Sequence, residues 1–384
     1  MCRYTGKKVA VVGASYLQLP LIEKVKEIGA EAHVFAWATN DVGEAAATCF
    51  YPISIVELDQ ILAKCQEIGI DAICTIGTDL GAVTVNYVAE KMGLPGNPWA
   101  LTERMTNKHA MREAFAASGD PSPRSYLVDV DSDFESLELD YPAIVKPTDR
   151  SGSRGVSKIW SAAEAKEAVR IASDLSFEHK AVLEEYVTGH EYSVECIVYQ
   201  GVPEVLTITQ KFTTGDPHYI ETGHIEPANL DDQTWARVEQ VVKHALGSLG
   251  VQNSAGHAEV MVDADGNPWL IEIGARMGGD YIGSHLVHLS TGVDYVAAVV
   301  DVAFGNKPNT SKAPVQRSAG VRFILNAGDL EVYRQAQADP QVKIVESVLP
   351  ENELDPNAVE DSSTRGGCFV MVADSRDIIE RYVY

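Results

Sequence analysis

The chain has 384 residues, of which 45% are hydrophobic and 22% are charged, and this composition indicates a globular protein of two or three domains. It carries 31 basic and 55 acidic residues, and the formal net charge of −24 argues against a general nucleic-acid binder and against a protein of basic membrane surfaces. Because no apolar run approaches about 18 residues and the six cysteines form no C-x-x-C pair, we expect a cytoplasmic protein with reduced thiols that binds neither membrane nor nucleic acid.

The first hundred residues alternate short apolar strands with amphipathic helices. Repeated strand–helix units predict an α/β domain with a doubly wound parallel sheet. Ligands of such sheets gather at the carboxyl ends of the strands, which here carry Gly13-Ala14-Ser15 and Gly77-Thr78-Asp79. The first of these segments lacks the G-x-G-x-x-G pattern, so dinucleotide binding is not expected. The predicted strands are 8–12, 32–36 and 71–76, and the predicted helices are 19–28, 58–68 and one that ends at 93.

Four prolines bracket a predicted helix over residues 101–117, which marks a boundary in the chain. Beyond this helix, short strands and helices are mixed, and a polar linker follows at 307–314. The further predicted elements are strands at 124–128, 143–146, 181–186 and 191–199, a hairpin at 257–273, and helices at 162–173, 232–249 and 294–304.

The hairpin predicted at 257–273 is the most informative segment. If a four-residue loop closes it, Glu259 faces Glu272, Met261 faces Leu270, and all four side chains share one face. Two opposed carboxylates repel each other, so a cation should lie between them, and Mg²⁺ prefers oxygen ligands. The two apolar residues would form a floor for a flat base beside the metal. The alternative is a solvated acidic face.

A lysine and a small-residue loop follow each other in the middle of the chain. Lys146 ends a short apolar strand, and the loop Ser151-Gly152-Ser153-Arg154-Gly155-Val156 begins five residues later. Small residues let backbone N–H groups approach phosphate oxygens closely, and the lysine could hold the same anion. The G-x-x-x-x-G-K-[ST] pattern is absent, so the loop is not a P-loop.

Two further segments have both a functional and an ordinary interpretation. The run Glu184-Glu185-Tyr186-Val187 precedes a Thr-Gly turn, and by itself it indicates a surface hairpin between two strands. Arg276 follows Glu272 by four residues and could clamp an anion bidentately, although it could equally be a surface arginine.

Together, the strand-end lysine, the Ser/Gly loop, the Glu-Glu-Tyr-Val run and the two glutamates resemble the ATP-grasp superfamily, in order from about residue 8 to about residue 310. The arrangement around His257, Glu259, Glu272 and Arg276 most resembles ATP-dependent carboxylate–amine ligases such as the bacterial L-amino acid (dipeptide) ligases. The resemblance implies an α/β fold, with an α+β ATP-grasp part, in four regions. These are a Rossmann-like N-terminal domain at 1–100, a linker helix and small subdomain with a flexible loop at 101–183, a central subdomain with the metal site at 184–312, and a C-terminal lid at 313–384.

The resemblance also implies which residues bind the nucleotide. The phosphates would be bound by Lys108, Lys146 and the loop residues Ser151, Gly152, Ser153, Gly155 and Val156. The adenine would be bound by Glu184, Tyr186 and Val187, the ribose by Glu191, and the face of the base by Met261 and Leu270.

The remaining implied roles concern metal, substrate and catalysis. Glu259 and Glu272 match the ligands of Mg²⁺, with Mn²⁺ as an alternative. Glu221 would hold a substrate ammonium, and the substrate would also contact His224, Arg276, Gly278 and Gly279. The implied catalytic residues are Arg276 beside the transferred phosphate, His224 at the developing oxyanion, and Lys146.

Two positions depart from the family pattern. Many members have Asn two residues after the second metal glutamate, and this chain has Gly274, which leaves a second metal site in doubt. Arg154 stands at a loop position that is often small, so loop closure could differ.

We therefore expect an ADP-forming ligase that joins the carboxylate of an amino acid, or of a related small carboxylic acid, to an amine through an acyl phosphate. The alternatives are a purine-biosynthesis or biotin-carboxylase-like enzyme, and an ATP-binding regulatory module without turnover. The expected partners are ATP and small-molecule substrates, and a homodimer is an open alternative.

Overall fold

Three β-sheets with packed helices organise the chain in a computed structural model that describes residues 3–216, 219–315, 317–350, 359, 361–362 and 364–384. One sheet has eight strands and the other two have four each in this part of the chain. Each sheet corresponds to a different stretch of sequence, and the candidate site lies where the three stretches meet.

The N-terminal sheet is parallel, as the strand–helix alternation predicts. Its strands are β1 (Lys8–Val12), β2 (Glu31–Phe35), β3 (Cys49–Tyr51) and β4 (Ala72–Cys74), and its helices are α1 (Leu19–Glu27), α2 (Val42–Ala46), α3 (Leu58–Ile68) and α4 (Asp79–Met92). The strand order is β3-β2-β1-β4. The first strand therefore lies between the second and the fourth, so the segments after β1 and β4 lie side by side at one edge.

The helix predicted over 101–117 is wrong in one respect, because the chain forms two helices there. A 3₁₀ helix spans Trp99–Met105, and α5 spans Lys108–Ser118. Thr106 is the C-cap of the first helix, and Asn107 caps the second, since its side chain accepts hydrogen bonds from the backbone N–H groups of His109 at 3.0 Å and Ala110 at 3.2 Å. The cap places Lys108 at the start of α5.

The second sheet is small and antiparallel. It consists of β5 (Ser125–Val128), β6 (Ala143–Pro147), β7 (Ser157–Ile159) and β8 (Ala181–Glu185), with α6 (Ala162–Leu175) packed on it. The strand order is β5-β8-β6-β7. The Ser/Gly loop at 151–156 therefore joins two neighbouring strands, β6 and β7.

The third sheet contains the eight remaining strands of the described part of the chain. These are β9 (His190–Tyr199), β10 (Val202–Thr213), β11 (Glu221–Glu226), β12 (Ser254–Val262), β13 (Pro268–Gly274), β14 (Ser318–Phe323), β15 (Lys343–Val348) and β16 (Cys368–Ala373). The order is β13-β12-β9-β10-β11-β14-β16-β15. The strands at 181–185 and 190–199 belong to different sheets, so the surface-hairpin interpretation of this segment is wrong. The turn between them is instead the connection between two sheets.

The C-terminal strands continue the third sheet. β14 pairs with β11, and β16 pairs with β14 and β15. The helices of this half of the chain are α7 (Asp232–Leu249), α8 (Val287–Thr291), α9 (Tyr295–Ala303), α10 (Ala327–Ala338) and α11 (Arg376–Val383). The division into four regions stays a prediction, and the strands after residue 312 share a sheet with those before it.

Two sequence expectations concern membranes and thiols. No single helix in the described part is long and apolar enough to cross a membrane, and one pair, 282–291 with 295–303, reaches that length and composition only across a bend of 117°. The five cysteines within the described ranges are free thiols, as expected. Cys2 lies outside those ranges.

Candidate active site

Two adjoining cavities lie where the three sheets meet. The large cavity has a volume of about 850 Å³ and is bordered by the carboxyl edge of the N-terminal sheet, including Gly13, Ala14, Ser15, Gly77, Thr78 and Asp79. The small cavity has a volume of about 220 Å³ and lies between the second sheet and the β12–β13 hairpin. The cavities share a junction lined by Lys108, Lys211, Glu259, Glu272 and Arg276.

The structure gathers most of the predicted nucleotide residues around the small cavity. Its lining includes residues from the loop, from the segment after β8 and from the hairpin, which the sequence separates widely. The predicted residues among them are Lys108, Lys146, Ser151, Gly152, Ser153, Val156, Glu184, Tyr186, Val187, Glu191 and Met261.

Leu270 is a correction, because it does not face the cavity. Glu259 pairs with Glu272 as predicted, but the register then shifts so that Leu270 pairs with Val260. Ile271 is the extra residue of this bulge, and a bulge turns the next side chain to the other face. Leu270 is completely buried in the core, and Ile271 lines the small cavity in its place.

Two predicted glycines also lie outside the cavity linings. Gly155 has φ = 72°, and a Cβ there would lie 2.8 Å from Leu175, so it shapes the loop. The backbone N–H of Gly278 donates a hydrogen bond to Glu195 at 3.1 Å, which makes it unavailable for substrate. The side chain of Glu195 also hydrogen-bonds His257. The third predicted glycine of the substrate site, Gly279, does line the large cavity.

Glu184 and Lys146 form a buried ion pair behind the small cavity. Lys146 Nζ lies 2.6 Å from the Glu184 carboxylate, and Arg112 Nε lies 2.9 Å from the same group. Burial alone would raise the pKa of Glu184, but Arg112 and Lys146 together lower it to about 2. Burial lowers the pKa of Lys146, and Glu184 opposes that effect. Sequence reasoning missed Arg112, although it lies on α5 one turn after the predicted phosphate-binding residue Lys108.

The two predicted metal carboxylates face each other across the hairpin, and each has a lysine partner. Lys211 Nζ lies 2.9 Å from Glu259, and Lys108 Nζ lies 2.9 Å from Glu272. Paired carboxylate oxygens suit a hard cation such as Mg²⁺. The described residues contain no group of three or more His, Cys, Asp or Glu side chains that could hold a metal ion. These two residues therefore fit Mg²⁺ only if phosphate oxygens and water complete its coordination.

Lys211 is the main functional residue that sequence reasoning missed. Its Nζ lies 2.5 Å from Glu191, 2.9 Å from Glu259 and 3.9 Å from Glu221, and only 5% of its side chain is exposed. Burial would lower its pKa, but the three carboxylates raise it well above the usual value. The sequence signal that could have identified Lys211 is its position in a strand of mostly apolar and hydroxyl residues. A lysine buried in such a strand needs an anionic partner.

The predicted substrate residues Glu221 and His224 lie on β11 and line the large cavity. His224 is buried, and neither of its ring nitrogens has a hydrogen-bond partner among the described residues. Burial lowers the pKa of His224, and Asp280, 3.9 Å away, acts in the opposite direction. The imidazole is therefore neutral at neutral pH and can donate one N–H into the cavity.

The C-terminal part of the chain also reaches the large cavity. Arg365 donates hydrogen bonds of 2.9 and 2.7 Å to the two oxygens of Asp280, and the Ser362 hydroxyl donates to Glu221. The sequence predicts that the segment with Ser362 and Arg365 either faces the phosphates or forms a plain turn into the strand at 368–372, whereas these two side chains contact Glu221 and Asp280. They close the side of the cavity that holds the predicted substrate residues.

Arg276 lies at the junction of the cavities and pairs with Asp79 at the start of α4. Its Nε and Nη2 donate to the two carboxylate oxygens of Asp79 at 2.8 and 3.0 Å. Arg276, Lys108 and Lys211 bring three cations to the junction beside the Ser/Gly loop, and Lys146 lines the adjoining small cavity. Converging cations and small-residue loops are the groups that bind polyphosphates, and a carboxylate-lined cavity beside them suits an amine-bearing substrate.

Comparisons with known proteins agree with this geometry. The family described as "ATP-grasp domain" matches residues 139–284. The alanine–anticapsin ligase of Bacillus subtilis (strain 168) is 29% identical over 247 residues, which are 58% of this chain and 52% of that ligase. The L-amino acid ligase from Bacillus licheniformis has a similar structure, with a TM-score of 0.79, 25% identity and coverage of 99% of this chain and 96% of that one. Phosphoribosylglycinamide synthetase from Anaerococcus prevotii shares the fold at 22% identity, with a TM-score of 0.75 and coverage of 97% and 96%.

The match to the curated ligase spans about half of that ligase, 52% of its length. The family match at 139–284 includes the Ser/Gly loop, the paired glutamates and Arg276, which are the groups that line the cavities. Residues 139–284 therefore match an ATP-grasp domain, and carboxylate–amine ligases are among the proteins to which the chain is similar.

Proposed function

We propose that the protein is an ADP-forming ligase that joins the carboxylate of an amino acid to an amine through an acyl phosphate. The observation that carries this proposal is the junction of the two cavities. There, cations and two opposed glutamates lie between the small cavity, which gathers the predicted nucleotide residues, and the large cavity, which is lined by Glu221 and His224. The names of the similar ligases support the same class of reaction.

The nucleotide is proposed to occupy the small cavity, with its base on Met261 and Ile271 and its ribose at Glu191. Lys108, Lys146 and the loop would contact the phosphates. Mg²⁺ held by Glu259 and Glu272 would neutralise the charge of the phosphate groups. The lysines now paired with those glutamates occupy the position of the expected cation, so they would compete with the metal or turn to the phosphates when ATP binds.

The reaction would begin when a carboxylate oxygen of the first substrate attacks the γ-phosphorus and ADP leaves. The amine nitrogen of the second substrate then attacks the acyl carbon and loses a proton. Inorganic phosphate departs with the carboxylate oxygen that it received. Arg276 would hold the transferred phosphate, the His224 N–H would stabilise the oxyanion, and Glu221 would hold the ammonium of the first substrate.

The cavity between the domains would exclude water from the acyl phosphate. No nucleophile on the enzyme is needed, which agrees with the lack of a Ser-His-Asp motif in the sequence. The cytoplasmic location and the homodimer stay predictions.

A screen for phosphate release tests the proposal. ATP and Mg²⁺ are supplied with pairs of amino acids, and products are identified by mass spectrometry; bicarbonate and a phosphoribosylamine-type substrate are included for the alternative enzymes. We expect release that depends on particular amino acids, with one condensed product. Release that follows bicarbonate or the phosphoribosylamine-type substrate would contradict the amino-acid proposal. ATP binding without ADP formation in any mixture would favour the regulatory module.

A further inference from the structure

Asp79 is a carboxylate that the proposed reaction does not use, although it lines the large cavity. It is the first residue of α4, at the carboxyl edge of the N-terminal sheet. It accepts two hydrogen bonds from Arg276, which lies 197 residues later in the chain. A bidentate arginine–carboxylate pair of this kind fixes the plane of the guanidinium as well as its position.

Gly274 lies against this ion pair. A Cβ on Gly274 would lie 2.8 Å from Asp79 Oδ1 and 3.1 Å from both Nε and Cζ of Arg276. A side chain at this position would therefore displace the Asp79 carboxylate or the Arg276 guanidinium, and glycine permits the ion pair in the geometry observed. This close approach accounts for the glycine at the position where many ATP-grasp proteins have Asn.

The backbone around the ion pair holds the two domains together at the same place. The Gly77 N–H donates a hydrogen bond to the Met277 carbonyl at 3.1 Å, and Ile76 forms a parallel bridge with Met277. The Gln18 side chain in turn donates to the Ile76 carbonyl at 2.6 Å. The segment that carries Arg276 is therefore attached to the N-terminal sheet by main-chain bonds as well as by the ion pair.

We propose that Asp79 is a positioning residue by which the N-terminal domain fixes Arg276 beside the paired glutamates, and that Gly274 lacks a side chain so that this contact can form. Asp79 accepts from Nε and Nη2 of Arg276, and Nη1 donates to the Met277 carbonyl at 3.4 Å, so the remaining N–H groups of Nη1 and Nη2 are the ones that would meet the transferred phosphate. This part rests on the proposed function, whereas the contact among the three residues does not.

A double-mutant cycle tests the contact through catalysis. Asp79→Asn and Gly274→Ala should each lower kcat by about a hundredfold, because small displacements of a catalytic group have effects of that size. The KM for ATP should stay within about twofold, since the base and ribose sites are unchanged. The double variant should be no slower than the slower single variant, because both changes remove one contact. Effects that multiply, or a kcat of Asp79→Asn within about twofold of the parent, would overturn the proposal.

Two controls separate positioning from simple domain docking. Lys24→Gln breaks another ion pair between the N-terminal domain and a later part of the chain, at 2.9 Å from Asp294 and away from both cavities, and should leave kcat unchanged. Asp79→Glu keeps the carboxylate and should recover part of the lost kcat. A loss with Lys24→Gln equal to that with Asp79→Asn would overturn the positioning role.

A third measurement needs no substrate, so it separates this proposal from the proposed function. Arg276 should react slowly with phenylglyoxal in the parent protein and faster in both Asp79→Asn and Gly274→Ala, as read by peptide mass spectrometry. Equal reactivity in the parent and both variants would overturn the contact. A protein that shows the difference in reactivity but no ligase activity would contradict only the proposed function. If Asp79→Asn does not fold, Gly274→Ala carries the same test.

Discussion

At the scale of single residues, the site is a set of buried charges that neutralise one another. Lys211 contacts carboxylates from three strands, β9, β11 and β12, and Lys108 contacts Glu272. Buried ions depend on their partners, because an unpaired charge in a low-dielectric interior is costly. The removal of one member should therefore affect stability as well as binding.

Lys211→Met should lower the free energy of unfolding by about 3 kcal/mol, since it leaves Glu191 and Glu259 close together without their shared cation. Denaturant unfolding measures the change. The matched control is Lys64→Met, which breaks a surface pair with Glu67 and should cost less than about 1 kcal/mol. Equal effects of the two substitutions would show that Lys211 does not stabilise the carboxylates.

Glu226 gives the protein a pH-dependent stability. Burial raises its pKa to about 8, against the hydrogen bonds from Thr209 and Ser290, whereas a glutamate in the unfolded chain has a pKa of about 4.3. Between these values the unfolded chain has lost the proton that the folded protein keeps. The free energy of unfolding should therefore fall as the pH rises through this window, by at most about 1.4 kcal/mol per pH unit from this group.

Glu226→Gln cannot titrate, so its stability should fall less steeply between about pH 5 and about pH 8 than that of the parent. Glu204→Gln, on an exposed position of β10, serves as the control and should follow the parent. Parallel curves for Glu226→Gln and the parent, from denaturant unfolding at several pH values, would contradict the buried protonated carboxyl.

At the scale of elements, the β12–β13 hairpin defines what the sequence could and could not predict. Strict alternation correctly placed Glu259 opposite Glu272, because side chains alternate along a strand. The same rule failed at Leu270, because a bulge adds one residue and changes the face of those beyond it. Nothing in the hairpin sequence marks the bulge. Lys211 was missed for a related reason, since the partners of a strand lysine depend on which strands lie beside it.

The bulge can be tested by replacing each of the two adjacent residues, Leu270 and Ile271, by alanine. Leu270→Ala should lower the free energy of unfolding by roughly 2 to 5 kcal/mol, because it leaves a cavity in the core, and should hardly change ATP affinity in the folded protein. Ile271→Ala should lose less stability and weaken ATP binding about tenfold, through lost apolar contact with the base. Calorimetry and denaturant unfolding measure both quantities. If Leu270→Ala weakened ATP binding and Ile271→Ala did not, Leu270 would be the residue that contacts the base, and the bulge would be wrong.

At the scale of the whole molecule, the site draws on all three sheets. The sequence predicted that the segments after β1 and β4 would border a ligand cavity, and both line the large one. It did not predict that the C-terminal strands would join the sheet of the paired glutamates or bring Arg365 to Asp280. Such contacts join residues far apart in sequence, and local periodicity carries no information about them.

Arg365→Ala should raise the KM for the amino acid substrates about tenfold and leave the KM for ATP within about twofold, because Arg365 lines only the large cavity. Loss of the guanidinium frees Asp280, which then carries an uncompensated charge beside His224. Steady-state kinetics with each substrate varied in turn measures both constants. Arg334→Ala, an exposed residue of α10, is the control, and an equal rise in both KM values for Arg365→Ala would contradict a role at the substrate cavity.

The most direct test of the central claim follows the carboxylate oxygen. The acyl substrate found in the screen is labelled with ¹⁸O in its carboxylate, and the inorganic phosphate formed with ATP and the amine is analysed by mass spectrometry. An acyl phosphate requires one labelled oxygen in each phosphate, because that oxygen leaves the acyl carbon with the phosphorus. Phosphate without label, formed together with the condensed product, would show that the carboxylate is not phosphorylated and would contradict the proposed mechanism.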